Sequence, residues 1–87
     1  MPSPIKLVVE ELAPGAKFSA VVRRMLQYLK SGVPLVLLVD NVDRCVTVYR
    51  KGDSSDFFME GEVITGLKAF SGPPVSVSEF LTPAENV

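Results

Sequence analysis

The chain has 87 residues, of which 47% are apolar and 22% charged, with a net charge of −1; this is enough for one small hydrophobic core and too little for two. It contains no histidine and a single cysteine, Cys45, which excludes a Cys/His zinc site, a histidine general base and an internal disulfide. The near-neutral balance announces neither a nucleic-acid nor a membrane binder, and the longest apolar run, Val33 to Val39, is far short of the roughly 20 residues that a bilayer requires.

Near the start, Lys6 is followed by a brief apolar stretch and then by Glu10 and Glu11, an order unlike that of a secretory signal. A cytoplasmic location without membrane contact is the expectation. The same stretch, Ile5 to Leu12, carries the strand-like core Leu7-Val8-Val9 and is closed by the turn pair Pro14-Gly15. From Ala16 to Ser31 the period becomes helical. Phe18, Val21, Val22, Met25, Leu26 and Leu29 fall within an arc of about 140° at about 100° per residue. Lys17, Arg23, Arg24, Gln27 and Lys30 occupy the other side, and Gly32 stands where a helix C-terminus favours glycine.

Leu35 to Val39 is a continuous apolar run of strand length, and Cys45 to Arg50 is rich in β-branched residues, so Asp40 to Arg44 reads as a hairpin loop. Lys51 to Ser55 is a polar turn and Phe57-Phe58-Met59 a short strand, with the two phenylalanines on opposite faces. Beyond Gly61 the pattern weakens. Gly72-Pro73-Pro74 breaks the chain ahead of a short element from Val75 to Leu81, with Ser76 and Glu79 at capping-box spacing, and Thr82 to Val87 reads as a loose tail.

Strand, helix, strand is a βαβ unit with parallel strands and a right-handed crossover, to which the hairpin adds antiparallel strands. The expected fold is therefore α/β: a small mixed β-sheet of three to five strands with one long amphipathic helix on one face. Leu35 to Val39 is apolar on both faces, as in a strand covered on both sides. With a single helix to cover one face, the second face is expected to be buried by another copy, as a homodimer, or by a partner chain.

The ordered run Leu7-Val8-Val9-Glu10-Glu11-Leu12-Ala13-Pro14, then Arg24 to Tyr28 and Leu29 to Val33, resembles the Uma2-type restriction endonuclease family. So do Leu38-Val39-Asp40, Val46 to Arg50, Gly61 to Ile64 and Val77 to Leu81. The resemblance spans about Ile5 to Leu81 and covers the C-terminal half of that family's usual domain. It implies a truncated restriction-endonuclease-like fold of the PD-(D/E)XK class over residues 1–81. Nucleases of this class hydrolyse phosphodiesters with Mg²⁺ or Mn²⁺ held by clustered carboxylates, the cation polarising the phosphate and acidifying the attacking water.

In the family pattern the glutamate aligned with Glu10 is a metal ligand, and a helical lysine aligns with Arg24. The resemblance thus implies Glu10 as metal ligand and catalytic residue, with Arg24 as its catalytic partner. The family's other metal-binding carboxylates lie in the half that has no match here. Where the family has Pro-Asp ahead of the strand, this sequence has Ile5-Lys6, and arginine keeps its charge in a planar fork unlike an ammonium. One carboxylate holds Mg²⁺ poorly. The expectation is an endonuclease-like domain without activity or bound cofactor, acting as a binding or assembly module. The alternative is a Mg²⁺-dependent endonuclease whose site a second chain completes.

The remaining candidates have plain structural readings. Glu11 points away from Glu10 if both lie in one strand. Lys17, Arg23, Arg24 and Lys30 read as a solvated helix face or as the basis of weak, salt-sensitive DNA binding. Asp40 to Asp43 lacks the glycine and further oxygens of a calcium loop, Cys45 reads as a small buried hydrophobe, and Tyr28 and Tyr49 read as aromatics at the core's edge.

Overall fold

A computed structural model describes residues 5–52, 55–65 and 74–82. Its elements run β1 (Leu7–Leu12), α1 (Phe18–Lys30), β2 (Leu35–Asp40), β3 (Cys45–Arg50), β4 (Asp56–Met59), β5 (Val63–Ile64), β6 (Val75–Ser76) and a 3-10 turn, Val77–Glu79. Four strands form one sheet in the order β1-β2-β3-β4, and β5 pairs with β6. β1 and β2 are parallel, with Leu7 beside Leu35 and Glu10 beside Leu38. β3 and β4 follow as antiparallel neighbours, giving the expected mixed sheet.

The helix ends as the sequence dictates. The Gly32 N–H donates to the Leu29 carbonyl and the Val33 N–H to the Tyr28 carbonyl, the two bonds of a Schellman motif. That geometry needs a left-handed residue at Gly32, whose φ is 101°, a conformation that costs a residue with a Cβ. Val33 and Tyr28 then join one apolar cluster, which fixes the direction in which the chain enters β2.

Side-chain alternation divides the sheet into two faces. On the helix face, Val36 and Leu38 of β2 meet Val21 and Met25 of α1, with Val8, Leu12, Tyr28, Leu29 and Tyr49 at the margin. On the other face, Leu35, Leu37 and Val39 join Val46 and Val48 beneath Ile64, Val77 and Leu81, with Phe58 and Phe80 packed alongside. The expectation that another chain buries this second face is thereby corrected. The short β5, β6 and the 3-10 turn supply the cover, and their two-residue strands carry too little period for the sequence to reveal it.

Three smaller corrections follow. Phe18 and Leu26, assigned to the buried arc of the helix, are exposed, because the sheet contacts only the side of α1 that carries Val21 and Met25. Ser76 does precede the 3-10 turn but makes no side-chain cap; its hydroxyl lies 3.1 Å from that of Ser78 instead. Thr82 is not loose: its N–H donates to the Asn41 side chain over 2.8 Å. The rest of the expected tail, 83–87, and the Gly72-Pro73 break lie outside the described residues. Among those residues no helix is long and apolar enough to cross a membrane.

Candidate functional site

Glu10 sits in β1 on the helix face, between Val8 and Leu12 in the alternation. α1 passes over β1 and places Arg24 above it. The Arg24 Nε donates to Glu10 Oε1 over 2.5 Å. The two ends of this bond are unlike: the Glu10 side chain is 14% exposed and that of Arg24 50%. A carboxylate withdrawn this far from water needs a partner, and the guanidinium supplies it. The structure therefore brings together the two residues that the sequence singled out, and joins them directly to each other.

Glu10 alone offers little to a divalent cation. Mg²⁺ prefers octahedral oxygen coordination and normally retains at least one or two carboxylates. Glu10 offers one, and its Oε1 already accepts from a cation. Among the described residues no three His, Cys, Asp or Glu side chains come close enough to hold a metal. Glu11 does not help, since it projects from the opposite face and accepts from Asn41 Nδ2 over 2.9 Å. Asp40 is also engaged, its Oδ1 accepting from the N–H groups of Val42 and Asp43, each at 2.9 Å. This is the Asx-type closure of a hairpin loop, as read from the sequence. The residues described do not by themselves form a magnesium site.

Cys45 is buried and free. Burial, followed by the negative charges of Asp40 and Asp43, pushes its thiol pKa up. That leaves it protonated and a poor nucleophile, the small hydrophobe expected. Lys17, Arg23 and Lys30 remain on the solvent side of α1 and form no ion pair among the described residues.

Two polar devices escaped the sequence. Asn41 joins three segments: its Nδ2 donates to Glu11, and its Oδ1 accepts from the Thr82 N–H and, over 3.1 Å, from the Thr82 hydroxyl. Arg44, a non-glycine residue at φ 57°, grips both oxygens of Glu60, over 3.2 and 2.7 Å, and donates to the Thr82 carbonyl over 2.6 Å. That fork holds the Glu60 carboxyl below its ordinary pKa. Each partner lies at least 16 positions away along the chain, so no local pattern points to these pairs.

This assembly, a parallel βαβ unit with a hairpin and a retained strand glutamate under a helical cation, is that of a restriction-endonuclease-like α/β domain. The family model described as "Uma2: Putative restriction endonuclease" matches residues 1–78, and the chain belongs to that family. Among solved structures it is similar to a "putative nuclease belonging to DUF820" from Anabaena variabilis, with a TM-score of 0.74 and 22% identity over 91% of this chain. At that identity the likeness establishes the fold. The match covers 44% of the Anabaena chain, so the present chain spans less than half of that relative's length. No curated protein matches the sequence.

Proposed function

We propose that this chain is a catalytically silent endonuclease-like domain that works as a small binding or assembly module. The observation that carries this reading is the Glu10–Arg24 ion pair. The carboxylate that the family pattern assigns to a metal is engaged by a guanidinium, and no group of three metal-ligating side chains stands together among the described residues. The guanidinium takes the electrostatic role of a cation but cannot lower the pKa of a water as a metal ion does. Nor does it release a proton near neutral pH. Packing, with Val8 and Leu12 on either side of Glu10 in the apolar cluster, makes the pair a structural element of the helix–sheet contact.

The test is plasmid nicking by the purified chain with Mg²⁺ and with Mn²⁺, alongside its Glu10→Gln variant. Neither protein is expected to cut. Metal-dependent cleavage that Glu10→Gln abolishes would overturn the proposal in favour of a nuclease completed by a second chain. Metal-dependent cleavage that is unchanged in the variant would be a contaminant's activity, removed by repurification before the comparison is scored.

A further inference from the structure

The helix covers only half of its face of the sheet. Arg24 reaches down to β1, which sets the rotation of α1. Counted at about 100° per residue, Val22 and Leu26 lie on the other side of the buried Val21–Met25 line, toward β3 and β4. On those strands the register places Thr47 and Phe57 side by side, and likewise Cys45 and Met59, all on the helix face. Cys45 is buried, whereas Phe57 and Met59 stay open to solvent. Phe18 is 55% exposed, Leu26 54%, Phe57 59% and Met59 55%. A step results, with the flank of α1 as one wall and β4 as the floor.

Its dimensions suit one kind of occupant. Neighbouring strands are about 4.8 Å apart, so β4 lies about 10 Å to the side of β2. This is the interaxial distance at which a second helix packs beside a first. The groove on the α1 flank, about 430 Å³ and lined by Phe18, Ser19, Val22, Arg23 and Leu26, lacks the converging polar groups of a small-molecule site. Its apolar residues 18, 22 and 26 follow an i, i+4 ridge, the surface that interdigitates with another helix.

The charges around the step point the same way. Arg23, which lines the groove, and Lys30, one turn beyond Leu26, have no ion-pair partner among the described residues. We infer that this step is the docking site for an amphipathic helix of a partner protein, apolar on one face and acidic on the flank that meets Arg23 and Lys30. A second copy of this chain fits less well. The outward side of its own α1 carries Arg23, Gln27 and Lys30, so seating that helix in the step would bury cations against apolar residues and set like charges together. The inference rests on the binding-module reading, yet it is read without metal or DNA, so the two fail separately.

The probe is a synthetic helical peptide with leucines at i, i+3, i+4 and i+7 and glutamates elsewhere, compared with its twin carrying lysines for glutamates. Anisotropy titration of the full chain is expected to show micromolar binding of the acidic peptide, weakened by salt, and binding of the basic twin at least about tenfold weaker. Leu26→Glu and Phe57→Glu should each cost about tenfold or more. Circular-dichroism melting selects the variants that remain folded. Equal binding of the two peptides, no binding at millimolar concentration, or indifference to both folded variants would overturn the inference. So would sedimentation showing a wild-type dimer that Leu26→Glu and Phe57→Glu dissociate, which would assign the step to a second copy.

Discussion

The two faces of the sheet are equally apolar along β2 but are closed by different means. On one face, Leu35, Leu37 and Val39 lie beneath Ile64, Val77 and Leu81 from the same chain, and all six are buried. On the other, α1 seals Val36 and Leu38 and stops short of β4, where Phe57 and Met59 stay in water. The first face is closed by two two-residue strands and a 3-10 turn, the second by a 13-residue helix. Regularity and coverage are therefore separate properties: a helix is about 10 Å across and covers two strands, whereas irregular chain can spread over whatever remains.

That contrast predicts unequal costs of truncation. Leu37→Ala is expected to lose about 3 kcal/mol, since a fully buried leucine leaves both its transfer energy and a cavity behind. Leu26→Ala, on the open flank of α1, should change stability by no more than about 0.5 kcal/mol. Urea unfolding of the two variants checks the pair, and equal losses would break the comparison.

A smaller effect is expected at the hinge between the closed face and the rest. Asn41→Ala removes the side chain that ties Glu11 of β1 to Thr82. A loss of about 1 kcal/mol is expected, the usual net worth of such bonds. The sharper readout is hydrogen exchange, which should accelerate at the Thr82 amide while the amides of β2 remain protected.

The smallest effect is pH-dependent and sharpens how the C-terminal layer is held. The Arg44 fork lowers the Glu60 pKa in the folded chain. A depressed carboxyl pKa adds stability above its unfolded value, and that stability is lost as the pH falls through the folded value. Glu60→Gln should therefore be slightly less stable than wild type at neutral pH. Its melting temperature should also fall less steeply on acidification below the ordinary glutamate range. Parallel acid titrations of the two proteins would remove this assignment.

Much of the fold was legible because it rests on local period. The helix, its glycine stop, the two long strands and the hairpin are each written in one short stretch of chain, and the structure places them close to where the pattern did. The candidate pair was legible in part. The family resemblance marked Glu10 and Arg24, but their direct bond depends on the rotation of α1 over β1, which no count along the chain supplies.

By itself, then, the sequence determined the βαβ order, the parallel start of the sheet, the opposite faces of Glu10 and Glu11, and the exclusion of histidine and zinc chemistry. Only the tertiary structure decided that the chain covers its own second face, that Phe18 and Leu26 lie outside the core, and that Asn41 and Arg44 hold the C-terminal layer. The physical reason is one of range. Periodicity and turn chemistry act over a few residues, whereas the Glu10–Arg24 and Asn41–Thr82 bonds join segments 14 and 41 positions apart.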